Sequence, residues 1–302
     1  MRRLIMLEFK KPELSDMEWV NSCLIHANSL NCEYTFGNLF CWSDSYSVGI
    51  AHYKDFFICR WGEGSEVSYS VPLGEGDFTD AVNQIILDAK SIGATPKIYG
   101  VTEGYLLMLQ EAFLGKFRYK YDLAMNDYIY STEKMESLRG KKYHGKRNHI
   151  TNFKKNNPDW AFEIISSDNI DDCIEMHSQW LVENGAEDED YLEEFSAVKN
   201  AFKHYNELNF KGGLIRTGGK VVAYCMGEAQ MNGRCFVTHF EKAFASLQGA
   251  YPLINQEFTR NCLMDFEYVN REEDLGLEGL RKAKQSYYPE IILEKCVAIY
   301  ND

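Results

Sequence analysis

Segments with helical spacing and segments rich in β-branched and aromatic residues alternate along this chain, and the same order comes round twice. That alternation restricts the fold more than any other feature, because strands separated by helices belong to layered α/β architectures. In the first half, Leu14-Ser15-Asp16-Met17-Glu18 reads as a capped helix start, with Ser15 or Asp16 as N-cap and the helix running toward Ala27. Strands are expected at 46–52 and 56–61, flanking Tyr53-Lys54-Asp55, and at 67–73. A helix over 78–91 is expected to stop at Gly93, where glycine can cap its C-terminus. A strand at 97–101, a helix at 103–113 and a strand at 117–121 complete the half.

The second half repeats this order. A strand at 160–165 leads to helices at 169–182 and 191–208, the latter with Leu192, Phe195, Val198 and Phe202 at helical spacing. A meander of strands follows at 213–216, 221–229 and 235–240, turned by Thr217-Gly218-Gly219-Lys220 and by Asn232-Gly233. Helix 248–262, strand 266–269, helix 277–287 and strand 291–298 close the chain. At 302 residues the sequence exceeds the usual size of a single core. The expected division is a first domain over 1–125 and a second over 126–302, which opens with a basic segment at 134–155.

That basic segment is the main departure from an acidic composition. The formal net charge is −13, yet between Lys134 and Lys155 eight basic residues face Glu136 alone, so the rest of the chain carries about twenty net negative charges. Such an acidic body argues against general nucleic-acid binding, which draws most of its affinity from phosphate contacts. The opposite run, 183–194, reads as a solvated helix start, where acids favour the N-terminus. Nine scattered cysteines, none in a C-x-x-C pair, indicate neither a disulfide framework nor a zinc knuckle, and fit a reducing cytoplasm. No metal site is expected, since His144 and His149 are five apart and do not share a helical face. Residues 1–8 read as a first strand, because Glu8 ends an apolar run too short for a signal peptide. No run approaches the roughly 18 apolar residues of a membrane-spanning helix, so the expected location is cytoplasmic, with any lipid met peripherally at the inner membrane face.

Four stretches carry a resemblance. They are Glu33-Tyr34-Thr35-Phe36-Gly37-Asn38-Leu39-Phe40, Gly140-Lys141-Lys142-Tyr143-His144-Gly145-Lys146-Arg147-Asn148-His149-Ile150, Gly249-Ala250-Tyr251-Pro252-Leu253-Ile254-Asn255-Gln256-Glu257-Phe258, and the string from Asn270-Arg271-Glu272-Glu273-Asp274 through Leu280-Arg281-Lys282-Ala283-Lys284. In that order they resemble a bacterial family related to the C-terminal domain of the phosphatidylglycerol lysyltransferases. The resemblance implies an α/β (α+β) fold of two tandem acyl-CoA N-acyltransferase-like (GNAT-like) domains, with mixed, mostly antiparallel sheets flanked by helices, as in the Fem-type aminoacyltransferases.

In such folds an amine or hydroxyl attacks an activated carbonyl directly, so a site must hold two reactants and stabilise an oxyanion. The chain offers no G-x-S-x-G elbow or cysteine motif, and the chemistry needs none. Gln248, Gly249 and Ala250 open a helix through a small-residue loop, which suits a donor's phosphates but also suits ordinary packing. Arg271 and Tyr287 join them as expected donor contacts. The closing helix is similar to that of Fem-type transferases, which implies Lys284 as the electrophilic group, against a plain surface lysine. Glu228 and Glu241 lie on paired strands near His239, and either is a candidate general base or half of a salt bridge with Lys242 or Arg271. Lys141, Lys142, Lys146 and Arg147 are the candidate phosphate-facing cations.

Three readings of function follow. The first is an aminoacyl or acyl transferase using aminoacyl-tRNA, with no tightly bound cofactor, acting on a small-molecule, peptide or lipid-headgroup acceptor. The second is a coenzyme A-dependent N-acetyltransferase using acyl-CoA, and the third a non-catalytic binding protein retaining the fold. The recognisable closing motif places the expected site in the second half.

Overall fold

The computed structural model describes residues 7–185 and 188–301. The strand expected at 1–8 therefore lies outside the described residues, apart from Leu7 and Glu8, which are not in a strand. In chain order the elements begin with α1 (Met17–Ala27), α2 (Phe36–Cys41), β1 (Gly49–Tyr53), β2 (Phe56–Trp61), β3 (Ser68–Tyr69), β4 (Leu73–Gly74), α3 (Phe78–Ser91), β5 (Lys97–Val101), α4 (Glu103–Ala112) and β6 (Phe117–Tyr121). They continue with β7 (Asp127–Ser131), α5 (Thr132–Ser137), α6 (His144–Asn156), β8 (Ala161–Ile164), α7 (Ile170–Asn184), α8 (Glu189–Lys203), β9 (Lys211–Thr217), β10 (Lys220–Gln230) and β11 (Cys235–Ala243). Last come α9 (Ala250–Cys262), β12 (Tyr268–Asn270), α10 (Glu278–Gln285), β13 (Ile291–Leu293) and β14 (Cys296–Tyr300).

Local chemistry accounts for these limits. Asp77 caps α3 by accepting from the Asp80 amide, and the helix buries Phe78, Ala81, Val82, Ile85 and Ala89 at helical spacing. Gly93 follows with φ +75°, the left-handed conformation anticipated there. The stretch expected as one strand at 67–73 is two short ones, β3 and β4, because Pro72 has no amide to give a ladder.

The described residues form two compact units, one of residues 7–127, 273–281 and 292–301, the other of 128–185, 188–272 and 282–291. The first crossing falls near the expected boundary at 125/126, but the units are not two continuous segments. The segment 291–298, expected as a single strand, breaks at Glu294-Lys295 into β13 and β14, and β14 pairs antiparallel with β5 and β6 of the first unit.

The first sheet has the order β1-β2-β3-β5-β14-β6, with β4 against β2. Its pairs are antiparallel except β3 with β5. A buried charge cluster sits at the start of β14. Lys295 Nζ lies 2.9 Å from Asp127 Oδ1, 2.5 Å from Glu273 Oε1 and 3.9 Å from Glu33 Oε1. Cys32, Asp127 and Glu273 bring ligand-type atoms within 4.8 Å of one another, and the positive charge among them is the Lys295 ammonium. Burial raises the Glu273 carboxyl above its usual range, despite the opposing ammonium.

The second sheet has the order β13-β7-β12-β11-β10-β9-β8. β11 and β12 are parallel, while β12 with β7, β11 with β10, β10 with β9 and β9 with β8 are antiparallel. α9 lays Ala250, Leu253, Ile254 and Phe258 on this sheet, in a core that also holds Tyr130, Phe153, Phe236 and Val269. All nine cysteines are free thiols, eight of them buried.

Candidate active site

The parallel ladder between β11 and β12 is short. It pairs Cys235 with Tyr268, Phe236 with Val269 and Val237 with Asn270, and then ends. β11 runs on to Ala243 without β12 beside it, so residues past Val237 line the edge of an interrupted sheet. On that stretch His239 and Glu241 are the two half-buried positions among buried neighbours, and being two apart they share one face of the strand. On the other side of β11, a bulge at Met226/Gly227 shifts the register with β10. Gly227 is required there, since a Cβ would lie 1.8 Å from the Val237 carbonyl oxygen.

Arg271 follows β12 directly and reaches Glu241. Its Nη2 donates to Glu241 Oε1 at 3.0 Å and Oε2 at 2.9 Å. Asn255 of α9 also donates to Glu241 Oε1, at 2.8 Å. The other two guanidinium nitrogens, Nε and Nη1, are buried without a hydrogen-bond partner, and so is the Tyr287 hydroxyl. Arg271 Cζ lies 4.9 Å from the centre of the Tyr287 ring and 5.8 Å from that of Tyr130. Lys146 of α6 approaches the Tyr287 ring too, its Nζ 4.0 Å from the centre. Burial, and then the Arg271 charge, pushes the Lys146 ammonium down to about 8, with Glu241 acting the other way. Burial holds the Tyr287 and Tyr130 phenols well above their usual range, so both remain neutral donors.

The backbone that carries Arg271 is braced on several sides. Its amide donates to the Tyr128 carbonyl at 3.0 Å, and its carbonyl accepts from Lys284 Nζ at 2.5 Å. Glu272 takes φ +57°, a left-handed conformation uncommon for a side chain of this kind. Its carboxylate is held by His239, whose Nδ1 is 2.8 Å from Glu272 Oε1 and whose Nε2 is 2.9 Å from Glu228 Oε1. Burial alone would lower His239, but the hydrogen bonds and charges of Glu228 and Glu272 outweigh it and lift the imidazole to about 9.

This clamp makes stability depend on pH. The folded pKa lies above the unfolded one, so the contribution is complete below about pH 6.5 and is lost as pH rises through about 9. A shift of that size corresponds to about 3 kcal/mol. In urea unfolding between pH 6 and 10, the advantage of the native chain over His239→Gln is expected to shrink across that window. A constant difference would show that the imidazole is not held charged.

The expected site residues separate as follows. Lys146, Glu241, Arg271 and Tyr287 come together. Lys284 is buried, but its ammonium is engaged on the Arg271 carbonyl, and its own carbonyl accepts from the Tyr130 hydroxyl at 2.9 Å. Glu228 pairs with His239, while Lys242 bonds Glu194 at 2.7 Å. Gln248 is exposed, and α9 begins two residues after it, at Ala250. Gly249 has φ +98°, and a Cβ there would sit 2.3 Å from the His149 carbonyl oxygen, so this glycine allows α6 and α9 to approach closely. Lys141 and Lys142 are exposed, whereas Arg147 donates to the carbonyls of Leu138 and Gly140. Tyr130 and Asn255 were not singled out from the sequence, although Asn255 lies inside one of the four resembling stretches.

The sequence pattern of the family described as phosphatidylglycerol lysyltransferase, C-terminal, matches residues 26–299. The chain belongs to this family. A conserved protein of unknown function from Bacteroides thetaiotaomicron VPI-5482 is 34% identical, with a TM-score of 0.93 over 98% of this chain and all of that one. The C-terminal domain of a putative lysylphosphatidylglycerol synthetase from Agrobacterium fabrum is 16% identical, with a TM-score of 0.68 over 95% of this chain and 92% of that one. A structure of FemX is 9% identical, with a TM-score of 0.62 over 97% of each chain. An uncharacterised protein from Mycoplasmoides gallisepticum is 24% identical over 188 residues, which span 58% of this chain and 58% of that relative. With its two mixed sheets flanked by helices, this family member has the tandem acyltransferase-like fold. No described helix is long and apolar enough to cross a membrane.

Proposed function

We propose that the second unit catalyses transfer of an activated acyl group, from aminoacyl-tRNA as donor, to an amine or hydroxyl acceptor. The observation that carries this reading is the set of unsatisfied donors at the open edge of β11. Buried polar atoms normally have partners, and leaving one without costs about 1–3 kcal/mol. Arg271 Nε and Nη1 are two such atoms, and the hydroxyl of Tyr287, whose ring centre is 4.9 Å from Arg271 Cζ, is a third. They match what acyl transfer requires, which is donors fixed in advance where negative charge develops on the carbonyl oxygen. Glu241 supports the reading by holding Nη2, so that the guanidinium plane is set before any substrate arrives.

Exposed Lys141 and Lys142, a few residues before Lys146 in the chain, suit a donor whose phosphates lie outside the site. The acceptor class includes a small amine, a peptide and a lipid headgroup reached peripherally. The test supplies purified protein with a pool of tRNA charged with labelled amino acids and, in parallel, with labelled acetyl-coenzyme A. Fractionated lipid, peptide and small-amine extracts serve as acceptors. Label leaving tRNA for one fraction with the native chain, and not with Arg271→Met, is the expected result. Transfer from coenzyme A alone would replace the donor, and transfer from neither would overturn the reading.

A further inference from the structure

We propose that Lys146 is the catalytic base of this site, accepting the proton that the incoming amine or hydroxyl gives up as it attacks. The inference rests on the transferase reading and deepens it.

Lys146 differs from the other cations of α6. Lys154 has Glu257 at 2.8 Å, and Arg147 is engaged on backbone carbonyls. Lys146 turns inward instead, onto the Tyr287 ring, at 4.0 Å from its centre. Arg271 shares that ring at 4.9 Å, so two cations meet one aromatic face system. Only one carboxylate, Glu241, stands among the charged groups that act on Lys146, and it is already bonded twice by Arg271 and once by Asn255. Like charges that share a site cannot both stay protonated cheaply. Arginine does not release its proton, so burial first and the Arg271 charge second act on the lysine, whose ammonium is the one that is lowered.

The groups facing Lys146 make this consistent from each side. Glu241 comes from β11, Arg271 from the end of β12 and Tyr287 from beyond α10, and Arg271 in turn lies against the ring of Tyr130 from β7. With the ammonium lowered to about 8, roughly a quarter of Lys146 is neutral amine at pH 7.5. Other bases at the site are spent. Both nitrogens of His239 are bonded to carboxylates and its charge is held, and the Glu241 oxygens are occupied. A neutral amine beside three unsatisfied donors combines a proton acceptor with an oxyanion site.

The step balances without a co-reactant. As the acceptor's nitrogen or oxygen bonds to the acyl carbon, its proton passes to Lys146 Nζ, and the carbonyl π pair moves onto the oxygen held by Arg271 and Tyr287. Collapse of the tetrahedral species breaks the bond to the donor's ester oxygen. That oxygen leaves with the proton now carried by Lys146, which restores the neutral amine.

Two measurements test this, and one of them needs no turnover. The full chain is treated briefly with trace acetic anhydride from pH 6 to 10, with N-acetyl-lysine amide in the same tube, and Lys146 acetylation is followed by peptide mass spectrometry. A midpoint near 8 for Lys146, below that of the reference amine, is expected. A midpoint equal to the reference overturns the proposal whatever the chain catalyses. In the transfer assay, Lys146→Met and Lys146→Arg should each lower the rate by about 10²–10⁴, the usual range for a lost proton-transfer group. Lys146→Arg is the sharper variant, because it keeps the charge and cannot accept a proton at these pH values. If the native chain transfers and either variant matches it, Lys146 is not the base and the transferase reading stands. If the native chain transfers from neither donor, that reading fails, and the proposal fails with it.

Discussion

Replacing Lys295 with methionine is expected to cost the chain about 3–5 kcal/mol of stability at pH 7, the range for removing one partner of a buried ion pair. The side chain of Lys295 is fully buried, and so is that of Asp127, while those of Glu273 and Glu33 are each 17% exposed. Burial by itself would discharge such a lysine, but the charge of Asp127 and those of its neighbours raise Lys295 far above its usual range. Without the ammonium, the carboxylates would face one another in a dry environment, and Glu273, already raised by burial, would take up a proton more readily still. The deficit of the variant should therefore be largest near pH 8 and should shrink toward pH 5, as the Glu273 carboxyl becomes neutral. Adding Asp127→Asn and Glu273→Gln to Lys295→Met should recover much of the loss, because the buried charge is then removed on both sides. Urea unfolding of the three proteins at pH 5 and pH 8 decides the matter. A loss under about 1 kcal/mol for Lys295→Met at pH 8 would mean that the cluster is hydrated rather than buried.

This cluster also shows where sequence reading stopped. Residues 291–298 have the apolar character of one strand, and local pattern gives no reason to divide them. The division comes from Lys295, which leaves the pattern to meet Asp127 and Glu273, partners that spacing cannot identify. By contrast, α3 was legible to its last residue, because its cap, its apolar face and Gly93 are all local signals. The meander of β9, β10 and β11 was legible for the same reason, its turns carrying glycine where positive φ is needed.

The site was legible in part. Glu228 and Glu241 stood out as carboxylates on paired strands, with Lys242 or Arg271 as the salt-bridge partner. Lys284 attracted attention because the closing helix resembles that of Fem-type transferases. In the structure its ammonium lies on the Arg271 carbonyl, at the backbone end of a residue whose unsatisfied nitrogens are at the far end of its side chain. Helical position could not reveal this, since it says which face a lysine occupies and not what lies opposite. Lys146 was one of four equivalent cations in the basic run. What distinguishes it is the ring of Tyr287, which only folding brings near.

Arg271 is expected to matter to transfer and to stability at once. Arg271→Met removes the two unsatisfied nitrogens that the proposed oxyanion would meet, and the rate should fall by about 10²–10³, the cost of an oxyanion donor. It also leaves Glu241 half-buried with only Asn255 to bond, which should cost several kcal/mol of stability, on the order of 3–5. These two losses must be separated, because a poorly folded protein is also inactive. Arg271→Met combined with Glu241→Gln removes both charges together, so stability should return toward the native value while transfer stays as slow as in Arg271→Met. Arg271→Lys keeps a positive charge but presents a single nitrogen, which cannot hold Glu241 and an oxyanion in the same plane. It should fold well and still transfer slowly. Unfolding curves and transfer rates for the three variants form one experiment. If the double variant regains both stability and rate, Arg271 serves the fold alone, and the oxyanion must be held elsewhere.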